Sequence, residues 1–313
     1  MISWYKAFIM QTSRITVTCV LLSFVAALPA MAGPRTFVSG LGNDANPGTR
    51  EQPKRTFASA LPVTDAGGEI VVLDSAGFAS STLLINKSVS IIAPPGLYAG
   101  LRVASGAAIK ITAGVDDIVV LRGLSITGAG GGGGTGINIT GAGNVHIENC
   151  VISGFRSSNP LVPSHGIVCA GARGVFIKDT IARENFNGIY ATAGMLFLDR
   201  VRIEGNQQNG LLIGAGVKAV IGHSVASGNV SGLVAEGSGA ELSMEDCTVA
   251  QNEYVGIWIQ TGALGRLSNS TVINNGSGVT LSQSSAFLES RQNNTVRGNG
   301  TNSNSPPTAI SGF

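Results

Sequence analysis

Two short charged stretches stand one repeat apart in the sequence, Lys178-Asp179 and Asp199-Arg200. Removing a proton beside a carboxylate needs a base to take it and a cation to hold the charge that develops. Lys178 and Arg200 with Asp179 and Asp199 could supply both parts, and they form the candidate catalytic set. The competing reading is structural, because charges of alternating sign on neighbouring strands pair with one another along a solvated edge. The choice depends on how the chain brings the two stretches together.

A second set of residues suits binding. Tyr190 and Trp258 offer apolar rings with polar tips, a combination fitted to sugar-ring stacking. They fall in one column with Val168, Leu212 and Val234, at successive spacings of 22, 22, 22 and 24. A contiguous apolar patch on a protein surface marks an interaction site. Phe176, Phe197, Val220 and Leu242 form a similar row on another strand. The alternative occupant of such a stripe is the chain's own tail, "TNSNSPPTAISGF" (301–313), folded across it. Arg156 and His165 belong to an insertion, "FRSSNPLVPSH" (155–165), and are expected to project near Tyr190 and Arg183.

Cofactor chemistry draws less from the sequence. His146, His165 and His223 share no repeat row and no metal-ligand spacing, so no zinc site is expected. Asp116-Asp117 and Asn43-Asp44-Asn46 are oxygen-rich spots that could hold Ca²⁺, but neither has the spaced ligands of a strong site, and turn chemistry is the default. The run "GAGGGGGTG" (128–136) lacks a following Lys-Ser/Thr pair and a helix pattern, which leaves a turn rather than a phosphate cradle.

The elements that position these residues come from a repeat. Glycines followed by apolar–x–apolar triplets open at Gly136, Gly166, Gly188, Gly210, Gly232, Gly256 and Gly278, spaced 30, 22, 22, 22, 24 and 22. Ile147, Ile177, Leu198, Ile221, Met244 and Leu267 run in step, and so do Asn185, Asn206, Asn229, Asn252 and Asn275. Apolar residues alternate within each unit, as strands require. Two or three short strands per 22–23 residues, each stacked on its counterpart in the next unit, predict a parallel β-solenoid.

That register places Glu148, Lys178, Asp199 and Glu245 in one outward row, with Asp179, Arg200, His223 and Asp246 in the neighbouring turn row. The asparagine row reads as a structural ladder, since a side-chain amide both donates and accepts and can bond up and down a column. Asparagine also tolerates the left-handed backbone that bends need. Cys150 and Cys247 fall in one row four coils apart, roughly 19 Å, too far to pair.

At this point the chain resembles a known superfamily. The segment "TFVSGLGNDANPGTREQPKRTFASAL" (36–61) is similar to the N-terminal cap of exported right-handed parallel β-helix, or pectin-lyase-like, proteins. "GGEIVVLDSAGF" and "TLLINKSVSIIAPPG" are similar to their first coils. The resemblance implies an all-β, single-stranded right-handed parallel β-helix of about ten coils, with a cap over 33–69, coils over 70–300 and a tail over 301–313. It implies no single activity, since the superfamily includes lyases, hydrolases, epimerases, tailspikes and adhesins. The signature motifs of its pectate-lyase, polygalacturonase and alginate-epimerase branches are absent, so no catalytic residue carries over.

Composition agrees with export and with strands. Residues 1–32 carry Lys6 and Arg14, an apolar run over 15–28 and the small-residue site Ala30-Met31-Ala32, the pattern of a secretory signal peptide. Removing them takes the balance from 20 basic against 18 acidic residues to 18 against 18, which excludes the basic excess of a nucleic-acid groove. A net charge of zero also resists self-association poorly. Glycine is 44 of 313 residues and charged residues only 12%, too glycine-rich for helices and too apolar for disorder.

The expected protein is therefore secreted or periplasmic, without a membrane span after signal removal. Its expected partner is a polysaccharide, the cell envelope or a second copy of the chain, met through the outward apolar-aromatic face. The alternative is a polysaccharide-active enzyme, a pectate- or alginate-type lyase or a glycoside hydrolase.

Overall fold

In each repeat the chain turns three corners, and one unit shows how. Asn187–Ala191 forms a strand of what we term sheet I, Met195–Asp199 a strand of sheet II and Arg202–Glu204 a strand of sheet III. The computed structural model describes residues 33–129, 133–159, 164–282 and 285–310, so the segment read as a signal peptide lies outside it, as do parts of the glycine run and of the insertion. Every strand pairs in parallel with its counterpart one unit on: Ile189 with Leu211, Leu198 with Ile221 and Ile203 with Ala226. Sheet III alone contains ten strands, one per coil. Further upstream, Gly134–Glu148 runs unbroken through sheets I and II.

Inward residues stack like on like. Ile167, Ile189, Leu211, Leu233, Ile257 and Val279 descend one wall, and Ile152, Ala182, Ile203, Ala226, Val249 and Val272 another, all buried. Burial of these columns drives the fold, and the hydrogen-bonded ladders between coils hold the register.

The bends have their own chemistry. Between sheets II and III one residue per coil takes a left-handed conformation: Asn149, Asp179, Arg200, His223, Asp246 and Asn269, with φ between 44° and 53°. The next residue inward is a buried row, Cys150, Thr180, Val201, Ser224, Cys247 and Ser270. Its hydroxyls accept main-chain N–H groups from the coil before, as in Val201 N–H to Ser224 Oγ at 3.0 Å and Cys247 N–H to Ser270 Oγ at 3.2 Å. All three cysteines among the described residues are free and buried, and burial pushes the Cys150 and Cys169 thiols up to about 12.

Between sheets III and I lies the asparagine column. Asn185, Asn206, Asn229, Asn252 and Asn275 are buried, and each Nδ2 donates to the next Oδ1 at 2.8–3.2 Å. The same Oδ1 accepts the main-chain N–H of the preceding asparagine, as at Asn206 N–H to Asn229 Oδ1, 3.0 Å. The column continues to Asn299.

The left-handed residue of this bend is not the asparagine, as sequence reasoning expects, but the residue before it: Glu184, Gly205, Gly228, Gln251 and Asn274. That placement turns the asparagine side chain inward, where its amide meets the column.

The glycines that open each sheet I strand are part of the same device. A Cβ on Gly232 would lie 2.5 Å from Gly256 O and 2.9 Å from Asn252 Nδ2. Equivalent collisions occur at Gly188, Gly210 and Gly256. Glycine is required there for room beside the amides, not for backbone freedom.

Ahead of the coils, Gly33–Val38 pairs with Thr64–Val72, and α1 (Phe57–Val63) buries Phe57, Ala60 and Leu61. Thr56 caps the helix, its hydroxyl accepting Ser59 N–H at 3.2 Å. At the other end, Thr301–Ser303 joins sheet I and Thr308–Ala309 joins sheet II. Through Ile310 the tail thus adds to the stack and does not fold across the apolar column.

Candidate functional site

The four charged candidates sit on the sheet II edge and the bend that follows it. Lys178 and Asp199 are in register, and Asp179 and Arg200 occupy the left-handed positions. Arg200 spans both carboxylates, with Nε 2.6 Å from Asp179 Oδ1 and Nη1 2.7 Å from Asp199 Oδ2. His223 Nδ1 lies 3.1 Å from Asp199 Oδ1, its Nε2 lies 3.6 Å from Asp246 Oδ2, and Asn269 Nδ2 donates to Asp246. The result is an outward ladder of partners that runs through five coils.

The hydrogen bond from Arg200 holds the Asp179 carboxyl below the usual carboxylate range and raises the guanidinium in turn. A carboxylate so held is a weak proton acceptor, and a cation shared between two carboxylates has little charge left for an oxyanion. Among the described residues Lys178 makes no ion pair. A cavity of about 200 Å³ opens on the same sheet between Val220, Ser243, Arg266 and Ile310, but none of the four charged residues lines it.

The oxygen-rich spots are spoken for. Asp44 Oδ1 accepts the N–H groups of Arg55 and Thr56 at 2.9 Å, and Asp117 accepts from Ser88 and Gly114. Among the described residues no cluster of three or more histidine, cysteine or acidic side chains is placed to hold a metal ion.

The second apolar row needs a correction. Leu242 is in register with Ala219 and Gly265 and is buried at 1% exposure. Met244 stacks inward on Ile221, and with a period of two Leu242 must share its side. The outward row is His146, Phe176, Phe197, Val220 and Ser243. His146, Phe176 and Phe197 stack face to face, with centroids 4.8 and 4.9 Å apart and planes 10° and 6° from parallel. Rings stacked along the coil axis use their faces on one another and turn their edges outward.

Sheet I presents its rings differently. Val168, Tyr190, Leu212, Val234 and Trp258 are in unbroken register. All are half-buried except Val234, which is 2% exposed between Leu212 and Trp258 and cannot itself meet a partner. Trp258 is fixed by Nε1–H to Ser282 Oγ at 2.6 Å and by Tyr254, edge-on at 5.6 Å. Tyr190 stacks on His165 at 5.0 Å, and Phe186 meets His165 edge-on at 6.4 Å. Arg156, in the insertion, pairs with Glu184 at 3.6 Å, and Gln207 Oε1 accepts Ser157 N–H at 3.0 Å, so this loop is tied to the coils beneath.

Sequence reasoning missed Asn187 and Asn209, which carry a short second amide column beside His165. Asn187 Nδ2 lies 3.2 Å from His165 Nδ1, and Asn209 donates main-chain and side-chain N–H to Asn187 Oδ1. Their 22-residue spacing was the available signal. Tyr254, Ser282 and the hydroxyl row of Thr180, Ser224 and Ser270 offered weaker ones.

Known proteins share this architecture. The family described as "Right handed beta helix region" matches residues 165–310. The chain folds as a right-handed parallel β-helix.

Among solved structures the β-helix is similar to pectate lyase Pel9A, with a TM-score of 0.69 and 16% identity over 89% of this chain and 81% of that one. It is also similar to the Dettilon tailspike protein, gp208, with a TM-score of 0.52 and 14% identity over 72% of this chain and 55% of that one. A third is the GH136 lacto-N-biosidase from Eubacterium ramulus, with a TM-score of 0.50 and 10% identity over 88% and 68%. At such identities what is shared is the fold. No curated protein matches the β-helix by sequence.

Proposed function

We propose that the β-helix is an exported binding protein that engages polysaccharide through the outer face of sheet I. The observation that carries this reading is the pair of anchored, half-exposed rings, Tyr190 and Trp258, in one column with Leu212 between them. Three coil spacings separate the two rings, about 14 Å, so an extended chain laid along the axis would meet both. Their orientation is set before any ligand arrives, Trp258 by Ser282 and Tyr190 by His165, which lowers the ordering penalty of binding. Catalysis at Lys178, Asp179, Asp199 and Arg200 draws less support, because Arg200 is committed to both carboxylates.

Titration with a panel of polysaccharides tests the reading. Trp258 is the sole tryptophan of residues 33–313, so its fluorescence reports on the face directly. A saturable change with at least one polymer, weakened about tenfold or more in Trp258→Ala and Tyr190→Ala, is expected for stacking contacts of this size. Binding that both variants retain unchanged, or no binding to any polymer, contradicts it.

A further inference from the structure

His165 is an unusual group to find on an outward strand position. It is 9% exposed, packed between the Tyr190 ring and the edge of Phe186, and hydrogen-bonded through Nδ1 to Asn187. The amide column decides which way that bond runs. Asn187 Oδ1 already accepts two N–H groups from Asn209, at 2.9 and 3.2 Å, so its Nδ2 must be the atom facing His165. Nδ1 therefore accepts, and a neutral ring then carries its proton on Nε2.

Among the described residues no buried side-chain nitrogen or oxygen lacks a partner. Nε2 has no partner among the described residues, so this N–H reaches solvent beside Tyr190. A ring nine-tenths buried, with its tautomer locked and one donor pointing outward next to an aromatic face, is built like a subsite.

Resting on the binding role of sheet I, we propose that His165 and Tyr190 form a subsite for an uncharged sugar. The imidazole Nε2–H donates to a hydroxyl or ring oxygen, the phenol ring takes the apolar face of the pyranose, and the β-helix selects neutral over uronic polysaccharides.

The surrounding charge supports this choice. The column Leu84, Lys110, Asn138, Val168, Tyr190, Leu212, Val234, Trp258 and Thr280 holds one cation, Lys110, three coils or about 14 Å from Tyr190. The adjoining column runs through Asn187, Asn209, Ser231, Val255 and Ser277, all uncharged. Burial also lowers the His165 pKa to about 4, so the imidazole adds no positive charge at neutral pH. A polymer of uronates laid across His165 and Tyr190 would bring carboxylates to a stretch of these two columns that holds no cation, and desolvating them there is unfavourable.

The test compares neutral polymers (galactan, xylan, mannan and glucan) with polygalacturonate and alginate at pH 7, by affinity electrophoresis and calorimetry. The set of proteins is the parent, His165→Phe, His165→Gln, Tyr190→Ala and Trp258→Ala. The expected result is binding to at least one neutral polymer and to neither acidic one. His165→Phe, which keeps the stack and removes the donor, should weaken binding about three- to tenfold, the worth of one neutral hydrogen bond. His165→Gln, which can restore a donor, should recover part of it.

Preference for an acidic polymer overturns the neutral-sugar subsite while leaving the binding face intact. Loss in Trp258→Ala with no change in His165→Phe does the same for the role of His165. Absence of any polysaccharide binding overturns the face and the subsite together. If His165→Phe fails to fold, long-range ¹H–¹⁵N correlation on the parent protein decides. A neutral Nε2–H ring that shifts with the bound polymer supports the subsite, and an Nδ1–H tautomer or an unshifted ring refutes it.

Discussion

Replacing Asn229 with alanine removes four hydrogen bonds from the interior of the solenoid. Asn229 Oδ1 accepts Asn206 N–H at 3.0 Å and Asn206 Nδ2 at 2.8 Å, while Asn229 Nδ2 donates to Ile203 O at 3.1 Å and Asn252 Oδ1 at 3.0 Å. The acceptors keep other partners: Asn252 Oδ1 retains the main-chain N–H of residue 229 at 3.1 Å. Asn206 Nδ2 keeps Ala182 O at 3.3 Å, but the Asn206 main-chain N–H is left buried without a partner.

An orphaned buried donor costs about 1–3 kcal/mol, and loss of the remaining bonds adds about 1 kcal/mol. The expected destabilisation is about 2–4 kcal/mol, or a fall in Tm of about 3–7 °C for a chain of this size. Thermal and urea unfolding followed by circular dichroism measure it, with Asn299→Ala as the control. Asn299 lies at the exposed end of the column, so its loss should cost less than half as much. An unchanged melting curve for Asn229→Ala, or equal losses at the two positions, would refute the ladder as a source of stability.

Five shorter predictions rest on the same geometry. Gly232→Ala places a methyl against Gly256 O and the Asn252 amide and should destabilise by about 1–3 kcal/mol, read from the same unfolding curves. His165 has a folded pKa of about 4 against an ordinary 6.5, so between those values the unfolded chain binds more protons. Stability should therefore fall by about 3 kcal/mol as pH drops from 6.5 to 4, and His165→Gln should flatten that window in a pH series of melts. Arg200→Ala removes an exposed bridge and should leave the melt nearly unchanged. No polysaccharide should yield unsaturated uronides, seen by ultraviolet absorbance, from the parent protein, and a product lost in Lys178→Ala would restore the catalytic reading. Cys150, Cys169 and Cys247 should resist thiol reagents when folded and react together on unfolding, since burial raises all three thiols.

Much of the fold was legible because the solenoid writes each contact at a fixed period. Past the insertion at 155–165 the rows of Gly188, Asn206 and Leu198 each repeat every 21–24 residues, and like side chains stack in the coil that results. What the rows could not reveal was how two of them depend on each other. Only in three dimensions does the glycine column prove to be the space the asparagine amides occupy.

The bend was misread for a related reason. Asparagine is common both in left-handed turns and in ladders, and nothing in Glu184-Asn185 says which residue does which. Leu242 misled because one apolar residue in a period-two strand fits either face until a neighbour, here Met244, sets the phase. The tautomer of His165 depends on Asn187 and Asn209, one and two coils away, so no local pattern announces it.

The most direct test of the account is a fluorescence titration of the protein with neutral polysaccharides, read at Trp258. The account predicts a saturable response to at least one of them that Tyr190→Ala weakens about tenfold. A silent tryptophan across the whole panel, or equal affinity in Tyr190→Ala, would contradict it.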